Sequence, residues 1–318
     1  YLIMKSRRAF IVGIKSTTLT KKEKFFFKKY KPWGVILFSR NLKNLYQIKK
    51  LTNDIRYIFR DKNYPILIDQ EGGKVNRLNK LIETSTLSAE FFGNLYKSNK
   101  KKFYNYYTVY IAQISYLLNE IGININTVPV LDVRRTKSNN IIGNRSFSLV
   151  PKNVSNIGDF CIKKFNKGKI GTVIKHIPGH GLAKVDSHKK TPIVKKKTKY
   201  LYKNDFIPFK NKQTFFAMTA HVIYNDIDPI NTATHSPKII KLIRNKIGFK
   251  NIIISDDISM KSLKYSIKLN TLKALSAGCN LILHCNANYS EMRVVAENSP
   301  KVDNFIIKKT SQFYNFLS

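Results

Sequence analysis

Carboxylates and histidines are scarce in this sequence, and several of the carboxylates stand at the ends of apolar runs. The 318 residues include 57 Lys and Arg but only 19 Asp and Glu and six His. Five of the acids lie at or just after the end of such a run: Asp69, Glu71, Asp132, Asp256 and Asp257. A buried carboxylate costs free energy unless partners or chemistry compensate, so these acids are candidates for a binding or catalytic site. The alternative, left open above all for Asp132 and Asp257, is that the acid caps the N-terminus of a helix.

A second candidate is the segment from Lys175 to His188, which reads KHIPGHGLAKVDSH and holds three of the six histidines. Asp186 and His188 flank a single residue in it. A carboxylate beside an imidazole orients the ring and raises its basicity, which is typical of a general acid/base pair that works near neutral pH. The spacing of His176, His180 and His188 suits neither a helical zinc pair nor a zinc finger. We therefore expect no metal and no cofactor.

The elements that must position these residues are short apolar runs, with longer helical patterns between many of them. The predicted strands are Phe10–Ile14, Trp33–Phe38, Pro65–Asp69, Ile123–Leu131, Thr172–His176, Phe215–His221, Asn251–Ser255 and Asn280–His284. Most are nearly continuous in apolar residues, as in parallel strands that are buried on both faces. Eight such strands predict a single-domain (β/α)8 barrel of TIM type over residues 1–318, with an open doubly wound sheet as the alternative. In a barrel, the strand-end acids lie at the carboxyl-terminal face, where active sites are built.

The composition excludes several classes of protein. A hydrophobic content of 43% with 12% aromatics is too apolar for a disordered basic tail. No apolar run reaches the ~18 residues of a membrane helix, and the run Ala9–Ile14 is too short for a secretory core. The three sparse cysteines form no disulfide framework. We expect a cytoplasmic protein without a membrane segment.

The motifs, taken together, resemble glycoside hydrolase family 3, specifically its single-domain β-N-acetylglucosaminidases. The matching stretches follow the family order over nearly the whole chain: GVILFSRN (34–41), PILIDQEGGKVNRL (65–78), PVLDV (129–133), GNRSFS (143–148), KHIPGHGLAKVDSH (175–188), MTAHVIYNDID (218–228), LIRNKIGFKNIIISDDISM (242–260) and AGCNLILHCN (277–286). The most specific are the KH-x-PGHG-x4-DSH and SDD-x-SM motifs. They distinguish this branch from the two-domain β-glucosidases of the same family.

The resemblance implies a retaining exo-hydrolase on a (β/α)8 barrel that removes terminal β-linked N-acetylglucosamine. It makes Asp256 the nucleophile that forms a covalent glycosyl-enzyme, and His188 the acid/base, with Asp186 as its orienting partner. The residues that match the family's sugar-binding positions are Asp69, Arg77, Arg145, Lys175 and His176. Charged groups at these positions suit the directional hydrogen bonds that a polyhydroxyl ring requires.

Four departures from the family pattern leave these groups in place. Asn144 stands before Arg145 where the family usually has Asp, Ser148 replaces a Gly, and Asn280 replaces an Asp. Lys189-Lys190-Thr191 follows His188 where a turn with glycine is common. These changes bear on loop geometry and substrate preference more than on the type of reaction.

By resemblance, the substrate is a small carbohydrate, a cell-wall fragment with N-acetylglucosamine on anhydro-muramic acid or a muropeptide, met during peptidoglycan recycling. We expect a monomer. An alternative keeps the site but uses phosphate as acceptor, because a histidine acid/base does not repel that anion. A barrel that binds nucleic acid or another anionic polymer is a third interpretation, but only the net charge of +38 supports it. We therefore expect no nucleic-acid partner.

Overall fold

Eight parallel strands close into a barrel in which each strand pairs with the next along the chain and the last pairs with the first. The structure is a computed structural model that describes residues 2–135, 142–183, 185 and 190–318. The barrel strands are β1 Arg8–Gly13, β2 Pro32–Leu37, β3 Ile66–Ile68, β4 Ile125–Asn126, β5 Gly171–Ile177, β6 Phe216–Thr219, β7 Ile252–Asp257 and β8 Leu281–His284. The closed barrel confirms the predicted fold class and excludes the open sheet.

Each predicted strand coincides with one barrel strand, but the fourth prediction is too long. Regular pairing in β4 ends at Asn126, whereas the apolar run continues to Leu131. The reason is Pro129, which has no N–H to donate to a neighbouring strand. Beyond it the chain still lies beside β5, because Leu131 N donates to Lys175 O at 2.7 Å.

Helices surround the barrel, and several begin at a side chain that accepts a backbone N–H. Thr20 and Glu23 form a capping box, and Ser266 and Asp303 each cap a later helix. The helices are α1 Leu2–Lys5, α2 Lys21–Tyr30, α3 Leu45–Phe59, α4 Ala89–Ser98, α5 Lys100–Glu120, α6 Pro151–Lys167, α7 Thr198–Lys203, α8 Pro237–Leu242, α9 Ile267–Ala277, α10 Tyr289–Asn298 and α11 Asn304–Leu317. In the described part of the chain, none of them is both long enough and apolar enough to span a bilayer.

The amino-terminal end of the barrel is covered by α11. Trp33, at the start of β2, donates from Nε1 to Thr310 Oγ1 at 2.9 Å. The rings of Phe216 and Phe313 meet edge-on with their centroids 5.3 Å apart. Apolar side chains from this helix and from the strands pack into one buried cluster. The opposite end of the barrel, where the strands finish, is therefore the end at which polar side chains can meet a ligand.

One departure from the family pattern leaves a half-buried cation with neutral partners. Arg244 donates to Asn251 O at 2.5 Å and to Asn280 Oδ1 at 2.8 Å, and its acceptors among the described residues are all uncharged. Burial lowers the pKa of Arg244 to about 10. A carboxylate at position 280 would form an ion pair with this guanidinium, whereas the neutral Asn280 amide only accepts a hydrogen bond from it.

The Asn280→Asp variant is therefore expected to be more stable than the wild type. The gain should be about 1 kcal/mol, since a well-placed, partly exposed ion pair contributes up to roughly that amount, and should raise Tm by ~2–4 °C. Differential scanning calorimetry measures it. Because any new acid reduces self-repulsion in so cationic a chain, the exposed Asn105→Asp on α5 is the control. A Tm gain no larger than that of Asn105→Asp would contradict the account.

Candidate active site

A cavity of about 260 Å³ opens at the carboxyl-terminal end of the barrel. It is lined by side chains from several strand ends and the loops that follow them: Asp69, Glu71, Val75, Arg77, Ile142, Arg145, Lys175, His176, His180, Met218, Asp256, Leu283 and Cys285. The structure thus brings together six residues predicted from the sequence, namely Asp69, Arg77, Arg145, Lys175, His176 and Asp256. Their contacts with a substrate and their roles stay predictions.

Two carboxylates and two cations form a network on one wall of the cavity. Lys175 Nζ lies 3.1 Å from Asp69 Oδ1, 2.6 Å from Glu71 Oε1 and 2.9 Å from Thr127 Oγ1. Arg145 binds both oxygens of Glu71, with Nε–Oε2 at 2.8 Å and Nη2–Oε1 at 2.9 Å. Paired and hydrogen-bonded in this way, buried charges are tolerated.

The protonation of this network follows from its pairing. Burial acts to raise the pKa of Glu71, but Arg145 and Lys175 outweigh it and hold that pKa well below the usual range. The pKa of Asp69 is likewise lowered, because Lys175 and Arg77 overcome the effect of burial. Burial acts to lower the pKa of Lys175, yet Asp69 and Glu71 raise it. At neutral pH all of these groups are charged, and their positions are set before any ligand binds.

The turn after β3 is shaped by the side chain of Gln70. Its Oε1 accepts from the backbone N–H groups of Arg77 and Leu78 at 2.9 and 3.0 Å. This places the Arg77 guanidinium 3.7 Å from Asp69 Oδ2 and over the ring of Phe38, 5.3 Å from its centroid. Arg77 therefore forms the edge of the cavity next to the network.

Asp132 anchors the histidine segment and does not cap a helix. Its Oδ2 lies 2.7 Å from His176 Nδ1, and its Oδ1 accepts the backbone N–H groups of His176 at 3.3 Å and His180 at 2.6 Å. Burial acts to raise the pKa of Asp132, but His176 overcomes it and the pKa is lowered. Because Nδ1 of His176 is held by a carboxylate, Nε2 is the nitrogen left for a ligand.

The adjacent acids at the end of β7 have different surroundings. Asp257 accepts from Ser259 N at 3.0 Å, from Ser259 Oγ at 2.8 and 2.9 Å, and from Cys285 N at 3.2 Å, so it fixes the turn. Asp256 lines the cavity, and one of its oxygens accepts Asp257 N at 2.7 Å. Burial acts to raise the pKa of Asp256, but His221 and His176 outweigh it and the pKa falls. Asp256 is therefore an ionised carboxylate that faces the cavity, as a nucleophile must be.

The loop after β5 begins with a tight turn. Gly179 has φ +142°, and a Cβ at Gly181 would lie 1.9 Å from Val133 O, so neither position accepts a side chain without rearrangement. The predicted acid/base pair, Asp186 and His188, follows in the sequence but lies outside the described residues. Its position relative to Asp256 stays a prediction.

Sequence reasoning did not predict the contacts of several residues in or next to the cavity wall. Glu71 stands out as a strand-end acid, but its pairing with Arg145 joins positions 74 residues apart and has no local pattern. Thr127 contacts both Lys175 and Asp69, yet a lone threonine in an apolar run carries no signal. His180 was visible in the histidine segment, although only as a candidate metal ligand.

The chain belongs to glycosyl hydrolase family 3: the model for the N-terminal domain of that family matches residues 10–310. This confirms the predicted family and, with it, the class of enzyme, a glycoside hydrolase. Among curated relatives, the beta-hexosaminidase of Nitrosomonas eutropha is 33% identical over 287 residues, which cover 87% of this chain and 80% of the relative. That of Thioalkalivibrio sulfidiphilus is 30% identical over 292 residues, 90% of this chain and 82% of the relative. The structure of NagZ from Neisseria gonorrhoeae with N-trifluoroacetyl-D-glucosamine superposes with a TM-score of 0.87 at 26% identity, covering 98% of this chain and 90% of that one.

Proposed function

We propose that this protein is a retaining exo-β-N-acetylglucosaminidase with Asp256 as nucleophile. The observation that carries the proposal is the ionised Asp256 carboxylate in a cavity that is also lined by an ordered set of charged groups. Relatives that share about a third of its residues are named beta-hexosaminidase. The activity of those relatives supports a β-linked N-acetylhexosamine as the residue that enters the cavity.

The reaction has two steps that each invert the anomeric carbon. In the first, an Asp256 oxygen attacks that carbon, the bond to the glycosidic oxygen breaks, and the acid donates a proton to the departing oxygen. In the second, the deprotonated acid takes a proton from water, the water oxygen attacks the same carbon, and Asp256 leaves as a carboxylate. By family resemblance His188 is this acid/base, with Asp186 orienting it. The products are the alcohol and the β-anomer of the sugar.

The charged wall would bind the sugar hydroxyls. Asp69 and Arg77 form one side of it, and Lys175, His176 and Arg145 continue it toward Asp256. Because these groups hold one another in place before substrate arrives, little ordering is needed on binding. Their hydrogen bonds would strengthen as charge develops at the anomeric carbon.

The natural substrate is proposed to be a peptidoglycan fragment in which N-acetylglucosamine is linked to an anhydro-muramic acid or a muropeptide, hydrolysed in the cytoplasm during cell-wall recycling. Such fragments carry carboxylates. A surface with 57 cationic and 19 acidic residues would attract them at low ionic strength. We propose that a single catalytic barrel, acting as a monomer, suffices for the reaction.

The test is release of the aryl group from an aryl β-N-acetylglucosaminide, with the sugar product identified with and without millimolar phosphate. We expect free N-acetylglucosamine in both cases. N-acetylglucosamine 1-phosphate as the main product with phosphate would instead support the alternative, a phosphorylase. Absence of turnover, together with salt-sensitive binding of anionic polymers, would favour a barrel that has no catalytic role.

A further inference from the structure

His180 is the one lining residue of the cavity whose ring is buried and carries two unpaired nitrogens in the described part of the chain. Its exposed fraction is 3%. Neither Nδ1 nor Nε2 has a hydrogen-bond partner among residues 2–135, 142–183, 185 and 190–318. The ring lies beside that of His176, with the centroids 5.6 Å apart. Buried polar atoms without partners are rare in folded proteins and call for an explanation.

The backbone around His180 holds the ring in this place. Its N–H donates to Asp132 Oδ1 at 2.6 Å, and its carbonyl oxygen accepts Ala183 N at 3.0 Å. The preceding carbonyl, that of Gly179, accepts the hydroxyl of Tyr224. Since the main chain is fixed on both sides and the ring lines the cavity, a ligand atom is the natural partner for at least one ring nitrogen.

The ring is neutral at the pH of the proposed reaction. Burial and the neighbouring His176 lower the pKa of His180 to about 4, although Asp132 and Asp256 act in the opposite direction. A neutral imidazole has one donor and one acceptor nitrogen. His180 therefore differs from the charged residues that line the same cavity, and it is poorly suited to act as an acid/base near neutral pH.

We propose that His180 is a substrate-binding residue that forms a hydrogen bond with the 2-acetamido group of the sugar, an inference that rests on the proposed function. The charges that act most strongly on the ring are those of His176, Asp132, Asp256 and Arg145. Asp256 must face the anomeric carbon, and the acetamido group is attached to the next carbon of the ring. An amide presents a carbonyl acceptor and an N–H donor, and either one suits a neutral imidazole.

The first test compares His180→Phe, which keeps a flat ring without hydrogen bonds, with His180→Asn and His180→Gln, which place an amide near Nδ1 or Nε2. On an aryl β-N-acetylglucosaminide, the Phe variant should lose about 10- to 100-fold in kcat/KM, mainly through KM. Asn or Gln should recover kcat/KM to within about threefold of the wild type. The limbs of the pH profile should not move, because His180 does not titrate there.

The matched control is His235→Phe. His235 is also buried, its pKa is likewise lowered to about 4 by burial, and it lies outside the cavity, with Nε2 3.2 Å from Asn270 O. We expect this variant to keep wild-type kcat/KM, with melting temperatures measured for every variant. Equal losses in all three His180 variants, in step with their melting temperatures, would indicate a structural role and overturn the proposal.

Two further measurements assign the contact. Fluorination weakens the acetamido carbonyl as an acceptor. The ratio of kcat/KM between N-acetyl and N-trifluoroacetyl substrates should therefore differ between the wild type and His180→Phe. The same ratio in both proteins would overturn the assignment to this group. If the ring acted through His188 instead, the effect of His180→Phe on KM would vanish in a His188→Ala background, whereas we expect it to persist. Lack of wild-type turnover would contradict the proposed function itself, while wild-type kinetics in His180→Phe would contradict only this inference.

Discussion

The Asp256→Ala variant is expected to lose about 10⁴-fold or more in kcat/KM on an aryl β-N-acetylglucosaminide, the largest effect of any single substitution considered. Without the carboxylate no glycosyl-enzyme can form, and the His221 and His176 rings lose the anion that they face. Water would have to attack the anomeric carbon directly, in a cavity built for a different nucleophile. Steady-state kinetics, with the melting temperature recorded for each protein, measure the loss.

The control for that variant is Asp226→Asn, which also removes one carboxylate. Asp226 accepts from Lys197 and Thr198 at the start of α7, away from the cavity. We expect it to alter stability slightly and to leave kcat/KM within about twofold of the wild type, as for surface substitutions in general. Wild-type turnover in Asp256→Ala would rule out Asp256 as the nucleophile. Equal losses of kcat/KM in Asp256→Ala and Asp226→Asn would mean that the assay reports the fraction of folded protein rather than the chemical step.

The second large effect is expected for Lys175→Met, which keeps the length of the side chain and removes its charge. Asp69 and Glu71, whose side chains are 16% and 6% exposed, would then have one cation fewer, and breaking a largely buried ion pair in this way costs ~3–5 kcal/mol of unfolding free energy. With the ion pairs of the wall disrupted and a proposed sugar-binding cation gone, kcat/KM should fall about 100-fold or more. Chemical denaturation and steady-state kinetics measure the two losses.

The pH dependence of that stability loss follows from the pKa shifts. In the wild type the pKa values of Asp69 and Glu71 are lowered, so their stabilisation is present above the unfolded-state pKa and disappears as the pH falls through the folded-state values. In Lys175→Met the same carboxylates lose a cation that lowers their pKa. They therefore become protonated at a higher pH than in the wild type, and protonation removes the uncompensated negative charge that destabilises the variant. The difference in unfolding free energy between the wild type and Lys175→Met should therefore be largest near pH 7 and should decrease toward pH 4.

Lys212→Met is the matched control, because Lys212 is also a buried lysine. Its Nζ binds Asp159 at 2.8 Å and Ser155, but burial lowers its pKa, whereas the pKa of Lys175 is raised. The charge of Lys212 is thus poorly compensated, and its removal should cost little stability and no activity. Adding Glu71→Gln to Lys175→Met should recover part of the lost stability, since it removes one of the uncompensated acids. If the difference in unfolding free energy between the wild type and Lys175→Met did not change between pH 7 and pH 4, this account of the network would be contradicted.

The fold could be predicted because buried parallel strands carry a strong local signal. Each of the eight apolar runs became a barrel strand, and the run that contains Pro129 was extended furthest beyond its strand, since apolar residues continue where the strand pairing stops. Strand-end acids such as Asp69 and Asp256 were predictable for the same reason: the carboxyl ends of parallel strands meet at one face.

Pairings across that face could not be predicted, because they join residues far apart in the chain. The two hydrogen bonds between Arg145 and Glu71 and the contact of Thr127 with Lys175 depend on the closure of the barrel. The structure also distinguishes the adjacent Asp256 and Asp257, which look equivalent in sequence. Asp257 accepts the hydrogen bonds of Ser259 that fix the turn, whereas Asp256 does not. The roles of Asp186 and His188 rest on the family resemblance.

Trapping of the covalent intermediate tests the central claim most directly. A 2-acetamido sugar that carries fluorine at C5 and at the anomeric position should form the glycosyl-enzyme faster than it is released. Mass spectrometry of the digested protein then locates the adduct. We predict one sugar per chain, attached to Asp256 and absent from Asp256→Ala. An adduct on another residue, or an enzyme that turns over the aryl substrate with inversion and forms no adduct, would contradict the account.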